Sequence, residues 1–569
     1  MVQWSVLLRP LSVPIAWLVV SAGGTLSSLA ATTHVESGQD QWLLTVRLAV
    51  LDRPVSRWMD RTRFQPPTQE ILQILNLRQK LDELGHRLTE TSFWSVDEGK
   101  RLSRDNVGRE VINPTHYQYL FNSDQGINEG IFEADLISRG FRVGRFLEIV
   151  DYEYQDRDPA WPLIAYIKNH VSGAIEALAE KLHLGGEDVW AVADVFLNTN
   201  FPDTRRRVAI RSPYCGCMLI PRKDDGLHVF LQLTPEDVQM LDEAKKQSAS
   251  QGLHSSEAFK LLDIAQSQAQ KLLRPYKIVN TFRDQRGSVF LLGDACHTYS
   301  LKAGQGMNIS ISAAYNLTWK LALVMKGLAS PELLDTYETE RKHVATLLIN
   351  FDAKFAEAFT QRTNLDDTKF TLVNMKSTEP AIPGKRLLSV PLIRQLGGNS
   401  VQLLDEMPAD GRFHLFVYAS RPLTSEAFVR LSEFLSSPKS PVHRFSEKTP
   451  HHLGSFHQET ITSAYPKANF NYVVDVSLLH TTPHLEVDLE LLPQPLSDKW
   501  PTRVDEDFDS KGHVIHGISE EDGALVLVRP DGYVSVVTAL DKPQVIVDFL
   551  DSFSVDGGCV QEGFFPVKM

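Results

Sequence analysis

The sequence predicts a mixed α/β (α+β) protein: a parallel α/β unit interleaved with an antiparallel sheet and followed by a separate C-terminal block. Three observations carry this. "SVFLL" at 288–292 is a short apolar strand that runs into Gly293-Asp294 and, ten residues on, into Gly304-Gln305-Gly306 at the mouth of a long helical stretch. Between 190 and 233 the texture changes to the β-rich runs "WAVADVFL", "RVAI", "CMLIPR" and "LHVFLQL", parted by the polar turns "NTNFPD" and "RKDDG". Beyond about 375, the Pro-containing linker "STEPAIPGK" opens onto a run of strand, helix, strand, hairpin and final helix.

A chain of 569 residues exceeds one core, and about 150 residues per domain gives three or four domains or lobes. Hydrophobic content of 43% and charged content of 23% are those of a globular protein. A formal charge of -13, a pI near 5.8 and the lack of any basic run argue against a nucleic-acid footprint and point to small molecules as partners; the sequence shows no clear membrane partner. Cys215, Cys217, Cys296 and Cys559 are too sparse for a disulfide scaffold. No second Cys or His pair at ligand spacing accompanies Cys215-Gly216-Cys217, so no metal site is assigned. His451, His452 and His457 lie in a Ser/Pro/Thr-rich stretch and read as loop residues.

In chain order, the N-terminus has two readings. Arg9, the apolar stretch from Leu11 to Val20 and the small residues through Ala31 have the layout of a secretory leader. The same residues also read as a strand, "AWLVV", a glycine turn, "SAGG", and a helix, "TLSSLAA". "TVRLAVL" reads as a strand ending at Asp52. Residues 68–90 carry apolar positions at helical spacing, so a helix or helix pair is expected there, with further helices at 172–182 and 255–275. Asn308 to Lys326 is a helix closed by Gly327. In the C-terminal block, "FHLFVYA" and "NYVVDVSLL" are strands around the helix "SEAFVRLSEFL". A hairpin turning at Pro530-Asp531-Gly532 and the helix "PQVIVDFLDSF" follow. That order is thioredoxin-like, and without a Cys-x-x-Cys redox exchange is not its task.

The chemistry concentrates where the β-strand at 288–292 ends. Gly293 permits a sharp exit and leaves Asp294 at the carboxyl edge, where open α/β sheets bind ligands. A carboxylate there accepts hydrogen bonds from a polyol. Gly304 and Gly306 let backbone approach a ligand, and Gly306, Met307 and Asn308 offer unpaired N–H groups at the positive end of a helix. A polyol chain on a ring that becomes anionic is a flavin.

"LLGDACHTYSLKAGQGMN" followed by "AAYNLTWKLALVMKG" closely resembles the second FAD motif of the flavin-dependent aromatic hydroxylases, specifically the phenol 2-monooxygenase family. The resemblance continues through "NFPDTRRRVAIRSP", "GCMLIPRKDDGLHVFLQL", "YETERKHVATLLINFD" and "LVRPDGYVSVVTAL". It covers residues 188–569 well and 45–150 weakly. It implies an FAD-dependent monooxygenase that uses NADPH and O2, through a flavin C4a-hydroperoxide, to hydroxylate a phenolic or polyketide-like aromatic. It further implies a homodimer and a cytoplasmic location, with secretion as the alternative if residues 1–31 are a leader. Of residues, it implies Asp294 for the ribityl chain, Gly304, Gln305, Gly306, Met307 and Asn308 for the pyrimidine side of the ring, Gln125 for FAD contact and Asp52 for the adenosine ribose. Arg222 matches the active-site arginine, and Phe230 stands where the family has tyrosine. The implied architecture is an FAD-binding Rossmann-like domain (33–187 and 276–375) interleaved with a substrate-binding sheet domain (188–275), plus a thioredoxin-like domain (376–569). Residues 1–32 are then a leader or an altered first dinucleotide-binding unit.

The sequence departs from the family at definite places. The first glycine motif falls on Ser21, Gly23 and Leu26, so only its middle glycine is kept. The Asp-Gly motif before the sheet domain is absent, Thr62 stands at the active-site aspartate and Pro67 at the flavin-side arginine. These departures support a second expectation, a flavin-deficient or non-catalytic relative that serves as a dimerising or interaction protein. Two Asn-x-Ser/Thr sequons, at Asn308 and Asn316, fall on the helix set against the flavin, where a glycan does not fit.

Overall fold

The computed structural model describes residues 2–4, 18–22, 61–96, 102–111, 115–138, 147–154, 163–169, 189–195, 201–211, 216–222, 226–233, 277–293, 295–298, 305–325, 328–360, 381–395, 397–407, 409, 411–419, 421, 423, 425–441, 473–489, 492 and 503–555. Asp52, Asp294 and Gly304, and the helices expected at 172–182 and 255–275, lie outside the described residues. So does the strand expected at 45–51.

In the N-terminal part, strand β1 (Leu18–Ala22) is followed by β2 (Arg61–Phe64), helices α1 (Pro66–Ile74) and α2 (Arg78–Asp82), and strands β3 (His86–Leu88), β4 (Glu90–Val96), β5 (Leu102–Arg109) and β6 (Leu120–Asp124). Helix α3 (Gln125–Ser138) and strands β7 (Val189–Val195), β8 (Arg207–Arg211), β9 (Gly216–Pro221), β10 (Leu227–Leu233) and β11 (Val289–Gly293) come next, then helices α4 (Gly306–Met325) and α5 (Asp335–Thr360). The helix pair expected at 68–90 forms, but it stops at Asp82. His86–Leu88 is a strand because Leu88 pairs with Leu120 of β6 and is buried against it.

Two sheets and the helices of this part make layers. β2, β6 and β3 form a three-stranded antiparallel sheet. Since side chains alternate across a strand, Phe64 and Phe121 share one face and pack on Ile71, Leu75, Phe132 and Ile311 of the helices. On the opposite face, Leu88 and Leu120 pack on Met218 and Ile220 of β9. β9 belongs to a six-stranded sheet in the order β7-β10-β9-β8-β4-β5. The antiparallel sheet expected at 190–233 is therefore present but mixed: β8 runs parallel to β4, and β4 and β5 come from upstream of residue 188. β11 pairs in parallel with β1, Gly293 opposite Ala22. The "LVVSA" segment is thus a strand beside the strand that leads to Asp294.

The C-terminal part holds a seven-stranded sheet. Its members are β12 (Pro391–Arg394), β13 (Ser400–Gln402), β14 (Phe413–Tyr418), β15 (Val474–His480), β16 (Arg503–Glu506), β17 (Ala524–Val528) and β18 (Val534–Thr538), in the order β13-β12-β16-β15-β14-β17-β18. β14 and β15 are parallel, as a strand-helix-strand unit requires, and β17-β18 is the expected hairpin. Helices α6 (Glu426–Leu435), α7 (Lys511–His516) and α8 (Gln544–Asp551) complete it. Ser425 caps α6 by accepting from Phe428 N. α8 is strongly amphipathic and buries Ile546, Val547 and Leu550. Asn308 and Asn316, the two sequon asparagines, are 4% and 1% exposed. No helix among the described residues is long and apolar enough to cross a membrane.

Candidate functional site: a helix end and a polar seam between two sheets

The site is built around β2. Helix α4 opens on Gly306, so the first-turn N–H groups of Gly306, Met307 and Asn308 have no intrahelical acceptor. Asn308 fixes where that end points. Its side-chain amide donates to the Arg63 carbonyl at 2.7 Å, and its oxygen accepts the Gln65 amide at 2.8 Å. Both partners lie at the step from β2 to α1, where Pro66 opens the helix without an amide hydrogen to satisfy. Met307 is half-buried against the cluster that includes Phe64 and Ile311. Both side-chain polar atoms of Asn308 are thereby committed to the β2-α1 step.

Gln125 begins α3 directly after β6, and Asp124 pairs with Arg61 of β2. The Gln125 amide donates to Glu129 at 3.0 Å. Across the three-stranded sheet, Phe230 of β10 lies opposite Met218 and edge-on to His228, with ring centroids 4.6 Å apart. It packs against the Leu88 and Leu120 cluster. Arg222 closes the β9-β10 hairpin through its amide to Gly226 at 2.9 Å and is half-buried. The structure brings Gln125, Gln305 to Asn308 and Phe230 around the two faces of β2-β6-β3. Arg222 sits at the hairpin turn, four residues along from Met218.

Between the two sheets runs a polar seam that sequence reasoning passed over. Arg207 Nη1 lies 3.2 and 3.3 Å from the two oxygens of Glu110. The Thr91 hydroxyl donates to the same carboxylate, and Arg207 Nη2 is 3.6 Å from the Met218 sulfur. Arg63 of β2 is buried beside them. Burial first, then Arg207, pulls its guanidinium down to about 9, with Glu110 opposing the shift. The sequence signal was slight, because an arginine in "RTRF" or "TRRR" reads as a solvated cation.

The residues present fit a flavin. α4 opens on a glycine, whose lack of a Cβ leaves its N–H groups open to a planar ring edge. β11 ends at Gly293 with a φ of 57°, the turn that glycine takes without strain, and its carboxyl end lies beside that of β1. A strand end and a helix end of this kind are what a polyol and a developing anion require.

Comparison with known proteins agrees. Residues 176–352 match the family model described as FAD binding domain, and residues 368–557 match phenol hydroxylase, C-terminal dimerisation domain. The chain is 30% identical over 429 residues to a phenol 2-monooxygenase, fsqG, of Aspergillus fumigatus, covering 67% of this chain and 68% of that one. It is 26% identical to the FAD-dependent monooxygenase terD of Aspergillus terreus, covering 94% and 96%. Among solved structures it resembles the flavin-dependent monooxygenase PieE in complex with FAD and substrate, at a TM-score of 0.61 and 15% identity over 95% of this chain and 100% of that one. It also resembles aklavinone-11 hydroxylase with FAD and aklavinone, at a TM-score of 0.59 and 17% identity over 95% and 98%. At those identities the structures speak for the fold. On its motifs, its fold and its likeness to the phenol 2-monooxygenase, the chain belongs to the FAD-dependent aromatic hydroxylases of the phenol 2-monooxygenase family.

Proposed function

We propose that the protein hydroxylates a phenolic or related aromatic small molecule, of the polyketide-type secondary-metabolite kind, with FAD as cofactor and NADPH and O2 as co-substrates. The observation that carries this reading is the seating of α4 on β2. It places the glycine-opened helix end at one strand of a sheet whose other face packs on the β9-β10 wall that bears Phe230. Bound FAD would supply the redox chemistry, uptake of hydride from NADPH and activation of O2, with one oxygen atom going to the ring and the other, with a proton from solvent, to water.

The chain's own residues bind, orient and exclude water. The N–H groups of Gly306, Met307 and Asn308, with Gly304 and Gln305 before them, hold the pyrimidine edge of the flavin ring. The helix end there favours the negative charge of its reduced form. Asp294 accepts from the ribityl hydroxyls, Asp52 from the adenosine ribose, and Gln125 contacts the cofactor. Leu88, Leu120, Met218, Ile220 and Phe230 form an apolar wall that keeps water from the reacting ring. Phe230 supplies shape without a hydroxyl, and Arg222 serves the substrate side of the hairpin. Residues 376–569 form a thioredoxin-like block through which two copies pair, in line with the dimerisation-domain match. The family resemblance also supports a cytoplasmic location.

The test is direct. The purified protein, incubated with FAD and freed of excess, is expected to be yellow with a flavin spectrum and to oxidise NADPH faster when a phenol is added. Protein that stays colourless after incubation overturns the reading.

A further inference from the structure

The six-stranded sheet brings two arginine-bearing segments together at one end. β8 runs parallel to β4, with Arg207 opposite Thr91, so the residues that lead into the two strands lie side by side. One segment is Arg87 to Glu90. The other is the turn from Asp203 to Arg206, closed by the Arg206 amide donating to the Asp203 carbonyl at 3.0 Å. Between them a cavity of about 350 Å³ opens to solvent, lined by Arg87, Arg205 and Arg206 and by the carboxylates of Glu90 and Asp203. That volume is at the small end of the range that holds a ligand.

The carboxylates there are already engaged. Asp203 is 2% exposed and accepts Arg104 Nε and Nη2, both at 2.8 Å, Arg206 Nη1 at 3.1 Å and the Trp94 indole N–H at 3.0 Å. Glu90 lies 2.7 Å from Arg206 Nε. Asp82 of α2 meets Arg78 Nη1 at 2.6 Å and Arg87 Nη2 at 3.6 Å. Arg205 is exposed and, among the described residues, has no hydrogen bond or ion pair. Five guanidinium groups thus share three carboxylates, a surplus of two positive charges on a chain whose formal charge is -13. Arg206 keeps Nη2, and Arg87 keeps Nε and Nη1, outside those pairs, so both segments have donors left over. The cations that line the cavity are all arginines. Like charges gathered in this way repel one another, and a guanidinium fork presents paired N–H groups that match a tetrahedral oxyanion.

We propose that this cavity binds a phosphate group, with Arg205 and the unengaged edges of Arg87 and Arg206 as its donors. A phosphate carries close to two negative charges at neutral pH, which matches the local surplus. Glu90 and Asp203 fix the direction of Arg206, so that part of the site is built before a ligand arrives. Two sources share this chemistry: a small free phosphate or diphosphate, and the phosphates of a nucleotide such as the NADPH of the function proposed above. Only the second source rests on that reading.

Calorimetric titration of the full chain with inorganic pyrophosphate, at neutral pH and low salt and with FAD in excess to fill the cofactor's own site, tests this. One pyrophosphate per chain is expected, with a Kd below about 1 mM that weakens as salt rises. Arg205→Glu is expected to weaken it at least about tenfold, and Arg205→Lys to keep part of the affinity. Arg205 lies exposed on a turn, so neither variant disturbs the core. Arg430→Glu makes the same charge change at a 62% exposed position on α6 and is expected to leave the affinity within about twofold. No binding in the wild type overturns the inference. So does an unchanged affinity in Arg205→Glu, or equal weakening by Arg205→Glu and Arg430→Glu. Adding NADPH to the pyrophosphate-bound chain separates the two sources. Displacement, with NADPH itself bound at least about tenfold less tightly by Arg205→Glu, assigns the site to the nucleotide, and binding of both together assigns it to a free phosphate ligand. A chain that binds pyrophosphate through Arg205 but hydroxylates no phenol counts against the monooxygenase reading alone.

Discussion

Arg529 Nη1 and Glu340 Oε1 lie 2.9 Å apart, joining the turn of the β17-β18 hairpin to helix α5 of the flavin-binding part. Glu340 also accepts from Lys320 Nζ at 3.0 Å and from Asn316 Nδ2 at 2.8 Å, both on α4. Arg529 turns its Nε and Nη2 to Asp531 at 2.9 and 2.8 Å. Two cations and two anions balance in a buried space, with the Arg529 guanidinium 5.5 Å from the Trp319 ring. The C-terminal block is thus bound to α4, the helix that opens on Gly306.

Glu340→Ala should therefore be costly. It leaves Lys320 and Arg529 buried with one carboxylate fewer, and breaking a buried pair costs about 3–5 kcal/mol. Urea unfolding should show a lower midpoint by that measure. A loss under about 1 kcal/mol would show that the network contributes little.

Stability should fall on mild acidification. Burial draws His297 and His516 down to about 4. The Leu388 carbonyl at 2.9 Å can only accept, so His516 Nε2 carries the proton and Nδ1 accepts from the Tyr418 hydroxyl at 2.7 Å. Between about pH 6.5 and pH 4 the unfolded chain binds protons that the folded chain refuses, so stability is lost as pH drops through that window, by up to about 3 kcal/mol per histidine. Glu340 adds a second window. Burial alone would raise it, but Arg529 and Lys320 outweigh burial and hold it at about 2. Its contribution is complete above about pH 4.5 and fades below. Thermal midpoints measured from pH 7 to pH 4 should decline, and a flat profile would contradict the neutral buried histidines.

Asn308→Ala should loosen the helix end. The Arg63 carbonyl and the Gln65 amide both lose a partner, at about 1–3 kcal/mol for each group left unsatisfied. FAD retention, measured by absorbance after gel filtration, should drop at least about tenfold, a 1.4 kcal/mol effect. Full retention would show that the clamp is irrelevant to the cofactor.

Gly512→Ala should strain the start of α7. An added Cβ would stand 3.0 Å from Asp507 Oδ2 and 3.1 Å from its Cγ. That carboxylate accepts the Gly512 and His513 amides at 2.7 and 2.8 Å, so it has little room to yield. Such crowding costs about 1–3 kcal/mol, and chemical denaturation would read it. An unaltered midpoint would mean that the turn shifts freely.

Much of this was written locally in the chain. β11 and α4 announce themselves because an apolar strand, a turn at Gly293 and a glycine at the helix mouth are signals a few residues long. The core elements of the C-terminal block were legible for the same reason, down to the Pro530-Asp531-Gly532 turn. Its strands β12, β13 and β16 were not, since runs of three or four residues are too short to show a period of two. β3 hid behind Leu81 and Leu84, whose helical spacing carries on to Leu88 although Leu88 faces a strand. The seam of Arg63, Glu110 and Arg207 was invisible because its members stand far apart in the chain, and only sheet register makes them neighbours.

The central claim is that this chain transfers oxygen to an aromatic ring through bound FAD. Mass spectrometry of the product formed with FAD, NADPH, a phenol and isotopically labelled O2 tests it most directly. One labelled oxygen atom on the ring is the predicted result. NADPH oxidised with the phenol recovered unchanged, in protein that holds FAD, would contradict it.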